Sequence, residues 1–422
     1  MSTRLLALST VFLSLSCASA GGGQDSVDAR VGGDGDGAVG ADAQAFDCAS
    51  ALTGWHPIGG PLDAMVGSDS NSPAIAVDPV TNDLYVAWVE GDPADGHVSM
   101  WNGSSWQALG GDISVNPDNS PVYSMHLAVR DGVLVLAHAE AGGETSGGFH
   151  AQRWLNGSWQ AMGPDDLSTS NVSVSGGAAG FDDNGDPVVA WSQYPPGEIG
   201  RNRIHVSRFD DRVEIPLDPV LGGVAGPGAS ALTPSLSFDG GREVVAFSES
   251  GVRVFIRNQQ DTGWEPLGGD EVSAIGSALG AHSPRLARSA EGELYLAVAE
   301  NDPGTSTANG YLLRWTGFTW ETLPGVVDLV PGEHGYVRAL TVDGNGQPAM
   351  AVTEGTPAGL YIMGWNNGSF SDLGSLPLSA YSGTEPVSAA ALATDACGRL
   401  VVAFAEANTG GERAVHVYRF YQ

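Results

Sequence analysis

Residues 72–110 read SPAIAVDPVTNDLYVAWVEGDPADGHVSMWNGSSWQALG, and this stretch decides the fold. It holds four short apolar segments separated by turn residues, which indicates four strands. The second segment ends in an acid, Glu90, and the third ends on Trp101 before an Asn-Gly pair. Asn-Gly between apolar segments favours a tight hairpin, because both residues accept positive φ. The fourth segment starts at Trp106, so the stretch predicts one four-stranded antiparallel unit.

This unit recurs seven times along the chain. Its second strand ends each time in Glu, or once in Gln, at intervals of 50 to 56 residues. These positions are Glu90, Glu140, Gln193, Glu249, Glu300, Glu354 and Glu406. Repeats of about fifty residues with four strands are typical of β-propeller blades.

The two ends of the repeat region predict a closed ring. A lone strand begins at Trp55, and the last repeat has only three strands, which end near Phe420. The N-terminal strand is therefore expected to complete the last blade, which leaves no free sheet edge. The prediction is an all-β, seven-bladed β-propeller over residues 51–422, with four antiparallel strands per blade.

The first hairpin of each repeat carries a recognisable pattern, Pro-x-x-Ala-x-Asp followed by Gly-x-x-Tyr-Val-Ala. It resembles the hairpins of NHL and sialidase-like propellers, and the whole repeat region is similar to bacterial secreted or lipid-anchored seven-bladed propellers. The chain lacks the NHL continuation, the kelch Gly-Gly pair and a clear sialidase arginine set. The resemblance therefore implies a fold, and no catalytic residue is carried over from it.

The charge balance excludes two classes of partner. The 18 basic residues are all Arg, and against 49 acids they give a formal charge of −31. Nucleic acid and anionic lipid surfaces both require a basic face. Apolar residues make up 42% of the chain, which is enough for a packed core.

Residues 1–20 resemble an export signal, with an apolar stretch and an Ala-x-Ala cleavage site. Residues 13–17 also resemble a lipobox, in which Cys17 would be lipidated. The following segment, 21–50, is rich in Gly, Ala and Asp and is expected to be a flexible tether. Both interpretations place the protein outside the cytoplasm, either secreted or attached to the cell envelope by a lipid, and no other stretch is long enough to cross a membrane.

Three cysteines bear on the same question. Removal or lipidation of Cys17 leaves Cys48 and Cys397 as an even pair in an oxidising compartment. We expect a disulfide between them at the closure of the ring; two separate buried thiols are the alternative.

The upper face, defined as the side with the loops between second and third strands and between blades, carries the candidate site. Most second strands end there in an acid, and most third strands begin with His or Tyr. One interpretation is a cross-strand hydrogen-bonded clamp of acid with His or Tyr; another is a ring of shallow sites for sugar hydroxyls or cations. The candidate ligand-binding residues are Glu90, His97, Glu140, His150, Gln193, His205, Glu300, Tyr311, Glu354, Tyr361, Glu406 and His416. Two such residues per blade are too few for a structural metal site, so neither metal nor cofactor is expected.

Two further sets of residues are interpreted as structural. Trp residues at the ends of third strands and the starts of fourth strands are expected to pack between blades. On the opposite, lower face, Asp residues are expected to cap turns. They are Asp78, Asp131, Asp182, Asp239, Asp343 and Asp395.

The third repeat is the least regular. Gln193 replaces the acid, an insertion follows it, and Arg201, Arg203 and Arg208 bring positive charge beside His205. Enzyme sites need unlike groups in one place, so this repeat carries the enzyme alternative.

Taken together, the sequence favours a monomeric, non-catalytic, exported propeller that binds an extracellular glycan or protein through its upper-face loops. Two alternatives stay open. One is a carbohydrate-active hydrolase or lyase with its site at the channel mouth near the third blade; the other is a structural envelope protein.

Overall fold

A computed structural model describes residues 48–64, 68–111, 113–115, 121–141, 148–168, 174–194, 201–222, 229–276, 280–374, 377–380, 386–408 and 410–422. The expected export signal (1–20), the lipidation site Cys17 and residues 21–47 of the expected tether lie outside this description. Among the described residues there is no helix, and hence none long and apolar enough to span a membrane.

The described residues form 28 strands. They are β1 (Gly54–Pro57), β2 (Ser70–Val77), β3 (Leu84–Gly91), β4 (Ala94–Trp101), β5 (Trp106–Ala108), β6 (Val122–Arg130), β7 (Val133–Glu140), β8 (Gly148–Leu155), β9 (Ser158–Ala161), β10 (Val174–Phe181), β11 (Pro187–Gln193), β12 (Arg203–Asp210), β13 (Val213–Pro216), β14 (Leu232–Asp239), β15 (Arg242–Ser248), β16 (Val252–Arg257), β17 (Trp264–Pro266), β18 (Ala281–Arg288), β19 (Leu294–Asn301), β20 (Ala308–Trp315), β21 (Trp320–Thr322), β22 (Tyr336–Val342), β23 (Pro348–Glu354), β24 (Gly359–Asn366), β25 (Ser369–Asp372), β26 (Val387–Thr394), β27 (Leu400–Ala407) and β28 (Arg413–Tyr421).

These strands make seven four-stranded antiparallel sheets, and the prediction of a seven-bladed propeller is confirmed. Six blades use four consecutive strands, from β2–β5 to β22–β25. The seventh has the order β1-β28-β27-β26, so the first strand completes the last blade. The predicted closing strand is thus confirmed, and Trp55 lies opposite Phe420 in this pairing. The innermost strands β2, β6, β10, β14, β18, β22 and β26 contact one another in a closed circle around the axis.

The expected disulfide is also confirmed. Cys48 and Cys397 are bonded, with their Cα atoms 5.5 Å apart. Cys397 follows the innermost strand of the seventh blade, and Cys48 precedes the closing strand β1. The bond therefore adds a covalent link at the one place where the ring is closed by two distant parts of the chain.

The predicted packing role of Trp between blades is confirmed by a repeated contact. The Trp that begins a fourth strand donates its indole N–H to a carbonyl at the end of the fourth strand of the preceding blade. Trp320 donates to Leu267 O at 2.8 Å, and Trp159 donates to Leu109 O at 2.9 Å. The Gly after each of these carbonyls has positive φ, and a Cβ there would lie 2.4 Å (Gly268) or 2.9 Å (Gly110) from the Trp ring of the next blade. The Leu-Gly ending of the repeat is thus explained by the neighbouring blade.

The lower-face Asp residues cap turns in several blades, as expected. Asp182 Oδ1 accepts the backbone N–H groups of Asn184 and Asp186, both at 2.9 Å. Asp395 accepts from Cys397 and Arg399 in the same way. The cap pattern is different at Asp131, which has an exposed side chain and a φ of 53°.

Every innermost strand carries a bulge in its upper half. The pairing with the second strand shifts between Asn71 and Ala74 in the first blade, and between His282 and Arg285 in the fifth. Equivalent shifts occur in the other five blades. A bulge redirects the side chains beside it. Here it determines which residues line the central channel.

Candidate functional site

The acids that end the second strands are buried beneath the upper face. Glu90, Glu140, Glu249, Glu300, Glu354 and Glu406 are 0–1% exposed. Most accept backbone N–H groups from the loop that enters their own blade: Ala64 N donates to Glu90 at 2.9 Å, and Val115 N donates to Glu140 at 2.7 Å. Glu300, Glu354 and Glu406 bind their loops equivalently. A buried loop N–H needs an acceptor, so these carboxylates fix the loops between blades.

In two blades the contacts seen among the described residues are different. Gln193 accepts the indole N–H of Trp191 at 2.7 Å, and Glu249 lies 3.0 Å from the guanidinium Nε of Arg253. The first blade also has an indole donor, because Trp88 donates to Glu90 at 2.7 Å. A Trp two positions before the terminal residue thus donates to it in the first and third blades.

The expected cross-strand pairing of the acid with His or Tyr is wrong. His97 lies opposite Trp88, His205 opposite Trp191, and His416 opposite Phe404. The partner of each His is the residue two positions before the acid, because the hairpin is longer than a two-residue turn. His205 stacks on Trp191 with ring centroids 5.3 Å apart. Burial lowers the pKa of His205 and of His416 to about 4, so both rings are neutral at pH 7.

The two Tyr members of the set are largely buried as well. Tyr311 lies opposite Val298, and Tyr361 lies opposite Val352. Burial, together with the nearby acids Asp302 and Glu300, raises the pKa of Tyr311. His97 lines a cavity of about 330 Å³ with Trp88 and Trp106. The structure therefore does not bring the twelve predicted residues together as repeated open sites, and their role in ligand binding stays a prediction.

The second blade concentrates titratable groups. His138 and His150 lie opposite each other with ring centroids 5.0 Å apart, and Glu140 follows on the same side of β7. His138 Nε2 is 3.2 Å from Glu140 Oε1, and His150 Nε2 is 3.9 Å from Glu140 Oε2. Burial lowers the pKa of His138. Burial alone would raise the pKa of Glu140, but the hydrogen bonds from His138 and from Val115 N–H outweigh it and lower that pKa.

The central channel is lined by the seven innermost strands and encloses about 430 Å³. Among the described residues that line it, none is Asp or Glu. Its titratable side chains are those of His126, Arg285 and Arg338. In a chain with a formal charge of −31, this is a local reversal of charge.

The two guanidinium groups of the channel lie on neighbouring blades. Arg285 donates from Nε to the carbonyl of Arg338 at 2.7 Å and from Nη1 to the carbonyl of Pro284 at 2.8 Å. Arg338 donates from Nε to Thr353 Oγ1 at 2.7 Å, and its Nη atoms make no hydrogen bond among the described residues. Burial and the charge of Arg338 lower the pKa of Arg285 to about 10, and burial lowers the pKa of Arg338. Both remain charged at pH 7.

An aromatic side chain stands beside these charges at the upper mouth of the channel. Tyr336, at the start of β22, is 41% exposed. The guanidinium carbon of Arg338 lies 5.2 Å from the centre of its ring, a cation–π distance. The exposed His334 lies nearby, with its ring centre 6.2 Å from that of Tyr336. A cation and a flat apolar surface are thus presented together.

The third-blade cluster is used in contacts between blades. Arg208 binds Glu243 of the fourth blade at 2.6 Å and lies 3.6 Å from Asp182. Arg203 donates to the carbonyl of Asn202 at 3.1 Å. Residues 195–200 of the insertion lie outside the described residues. Arg208 therefore contributes its charge to ion pairs, Arg203 donates to backbone carbonyls, and neither lines the channel.

The sequence did not reveal the channel residues, although a signal was present. When the innermost strands are aligned by their pairing with the second strands, the position of Arg285 holds Ala or Ser in five of the other blades and His126 in the second. Arg338 lies one position before its own Ala of this set, Ala339. Two Arg in the channel of an acidic protein are the departure from symmetry that a site requires.

Comparison with known proteins gives a likeness of fold. No family model matches the chain, and no curated protein sequence matches it. A protein of unknown function from Dyadobacter fermentans is 11% identical, with a TM-score of 0.51 over 87% of this chain and 99% of its own. Trypanosoma rangeli sialidase in complex with sialic acid is 13% identical, with a TM-score of 0.46 over 83% of this chain. The polysaccharide lyase Uly1 is 10% identical, with a TM-score of 0.48 over 85% of this chain and 91% of its own.

The match to the sialidase covers 54% of that protein, so this chain spans about half its length. At these identities the likeness to the Dyadobacter protein concerns the fold alone. The resemblance expected from sequence holds in its coarse form: the chain is a seven-bladed propeller whose structural neighbours include sialidases and a polysaccharide lyase.

Proposed function

We propose that the protein binds an acidic carbohydrate at the upper mouth of the central channel. The observation that carries this proposal is the reversal of charge: two Arg and no acid among the described lining residues of a chain with formal charge −31. Like charges placed close together are unfavourable unless an anion compensates them. A bound carboxylate or sulfate would supply that compensation.

The donors available in the channel suit an oxyanion. Guanidinium N–H groups match the geometry of a carboxylate and can bind both of its oxygens. Arg285 is held by two backbone carbonyls and supplies a fixed charge. Arg338 keeps its Nη atoms available, because the hydrogen bond to Thr353 uses Nε. Arg338 is therefore the residue that would contact the anion.

The neighbouring aromatic ring favours a sugar over a small inorganic anion. Tyr336 exposes 41% of its surface beside Arg338. A flat aromatic ring can cover the apolar face of a pyranose, while the guanidinium binds an acidic substituent. A uronate or a sulfated sugar has both features. This proposal moves the site from the acids at the strand ends, named by the sequence, to the fifth and sixth blades.

Location outside the cytoplasm is part of the same proposal. The disulfide between Cys48 and Cys397 fits an oxidising compartment. Residues 1–20 would direct export, with cleavage after Ala20 or lipidation of Cys17 as the two routes. A monomeric, non-catalytic role as a binding module stays part of this proposal. Mass spectrometry of the mature N-terminus distinguishes the two routes.

The experiment compares three forms of the protein on an array of acidic and neutral oligosaccharides, followed by calorimetry. Arg338→Gln removes the charge at the mouth, and Arg314→Gln is the matched control because Arg314 is exposed and pairs with Glu321 at 3.2 Å away from the channel. We expect wild type and R314Q to bind an acidic glycan equally. R338Q is expected to bind at least about tenfold more weakly, as the loss of one charge-assisted hydrogen bond predicts.

Two results would contradict the proposal. One is binding of neutral glycans with no preference for acidic ones; the other is equal affinity of R338Q and wild type. Mass spectrometry of the bound glycan tests the enzyme alternative. Products of hydrolysis or β-elimination would show that the protein is an enzyme rather than a binding module, with its site at the same place.

A further inference from the structure

We propose that His138, Glu140 and His150 of the second blade bind a divalent transition-metal ion of the zinc type. Each residue offers one ligand atom, and the three atoms lie within 4.8 Å of one another. All three side chains are buried, with His150 the most exposed at 6%. This is the one group of three or more such ligands found among the described residues.

The hydrogen bonds of His150 leave a lone pair facing the carboxylate. A backbone carbonyl can only accept, so the contact of His150 Nδ1 with the carbonyl of Asp165 places a proton on Nδ1. In the neutral ring Nε2 is then an acceptor. The carboxylate atom Glu140 Oε2 lies 3.9 Å from it, and neither atom has a hydrogen-bond donor among the described residues. Two buried acceptors that face each other are unfavourable, and a cation between them removes the penalty.

Glu140 is positioned to be a ligand. Val115 N–H donates to its Oε1 at 2.7 Å, which fixes the carboxylate and leaves Oε2 without a hydrogen bond among the described residues. The contact of His150 with Asp165 orients the imidazole in the same way. Such supporting contacts are typical of metal ligands in proteins.

His138 supplies the third atom. Its Nε2 is 3.2 Å from Glu140 Oε1. Ligand atoms bound to one tetrahedral zinc ion at about 2.0–2.2 Å are themselves roughly 3.3 Å apart. The observed separations are 3.2 Å from His138 Nε2 to Glu140 Oε1 and 3.9 Å from His150 Nε2 to Glu140 Oε2. A small rotation of the His150 ring would therefore allow an ion to be bound through both carboxylate oxygens, and an added rotation of the carboxylate would allow binding through one.

The ligand set indicates the class of ion. Two imidazoles and one carboxylate suit zinc and its neighbours in the transition series, whereas calcium and magnesium prefer sites made of oxygen. Three protein ligands leave a fourth position for water. From the sequence no metal was expected, because two candidate ligands were counted in each blade. His138, on the second strand, is a third ligand that this count did not include.

The seventh blade provides the matched control. Phe404 occupies the position of His138, and Glu406 and His416 occupy the positions of Glu140 and His150. His138→Phe therefore installs a residue that the same framework already accepts. His416→Phe removes a His from a blade that has no third ligand.

The experiment uses the full chain without a polyhistidine tag. The protein is treated with EDTA, dialysed, loaded with Zn²⁺ and dialysed again, and its zinc content is measured by plasma mass spectrometry. We expect one zinc per chain and a higher melting temperature with Zn²⁺ than with EDTA. His138→Phe and Glu140→Gln are expected to lower the zinc affinity by more than the roughly 10- to 100-fold typical of lost supporting contacts, while His416→Phe leaves it unchanged.

Co²⁺ provides a readout that needs no variant, because its visible absorption reports a low-coordinate site with nitrogen ligands. Wild-type protein that retains no Zn²⁺ and gives no Co²⁺ band would overturn the proposal and leave the three residues as a hydrogen-bonded cluster. Retention of one zinc by both His138→Phe and Glu140→Gln would overturn it as well, since the ion would lie elsewhere.

Discussion

The first and second blades share one framework and differ at a single informative position. In both, an acid at the end of the second strand binds the backbone of the entering loop: Glu90 accepts from Ala64 N, and Glu140 accepts from Val115 N. In both, a His stands on the third strand. Two positions before the acid, however, the first blade has Trp88 and the second has His138.

That difference changes the chemistry of a buried carboxylate. The indole of Trp88 can only donate, and it satisfies Glu90 at 2.7 Å. The imidazole of His138 can donate or offer a lone pair, and it stands within 5.0 Å of a second imidazole, that of His150. In every blade where the acid binds its loop, it therefore has a structural role. Whether it can also bind a ligand depends on the side chains beside it.

The largest expected effect comes from removing the two differing side chains in metal-free protein. Trp88 is buried between the first and seventh blades, so Trp88→Ala should lower the free energy of unfolding by about 3–5 kcal/mol. His138→Ala should lower it by only about 1–2 kcal/mol, because a smaller ring and one hydrogen bond are lost. Denaturant unfolding in EDTA measures both. Equal losses of unfolding free energy would show that Trp88 and His138 have the same packing role, and would contradict the proposed difference between the two blades.

The next effect tests the contact that joins these two blades. Gly110 ends the fourth strand of the first blade with a φ of 84°, and a Cβ there would lie 2.9 Å from the ring of Trp159. Gly110→Ala should cost about 3 kcal/mol, the sum of backbone strain and overpacking. Gly103→Ala, at a φ of 93° with nothing within 4 Å, should cost only the strain, about 1–2 kcal/mol. Thermal unfolding of the two variants separates the terms, and equal costs would exclude a role for the Trp contact.

These contacts show why the fold could be predicted and the site could not. The Leu-Gly ending, the Trp that begins the fourth strand and the acid at the end of the second strand recur because each blade meets the same neighbours. Residues that recur in every blade therefore indicate packing contacts. They allowed prediction of the number of blades, the closing strand and the disulfide between Cys48 and Cys397. Arg285, Arg338 and His138 do not recur at the equivalent positions of other blades, so the repeat does not identify them. Their contacts depend on the strand bulges and on the strand register, which the sequence pattern does not show.

A comparison of the second and third blades predicts how the stability of the protein depends on pH. His205 occupies the position of His150, but it stacks on Trp191 and its strand ends in Gln193 instead of an acid. Burial lowers the pKa of His205 to about 4, and Asp218 only partly opposes this. The unfolded chain takes up this proton near pH 6.5 and the folded chain does not, so stability falls as the pH drops from 6.5 towards 4.

His205→Phe keeps the stacked ring and removes the titration. The loss of stability between pH 7.5 and pH 5 should be smaller in this variant by about 2 kcal/mol. Denaturant unfolding at the two pH values measures the difference, with His56→Phe, at a half-buried ring on β1, as the control. An unchanged pH dependence would mean that His205 is protonated equally in both states.

The smallest expected effect differs in sign between the two blades. Glu90→Gln keeps an oxygen for Ala64 N–H and Trp88, as native Gln193 does for Trp191, and should change the free energy of unfolding by less than about 1 kcal/mol. Glu140→Gln in metal-free protein places an amide N–H₂ toward the lone pair of His150 Nε2, 3.9 Å away. The new donor should stabilise the second blade by about 0.5–1.5 kcal/mol. Unfolding of both variants in EDTA gives the comparison. Destabilisation by Glu140→Gln would show that His150 already has a proton on Nε2, and the two acids would then be equivalent.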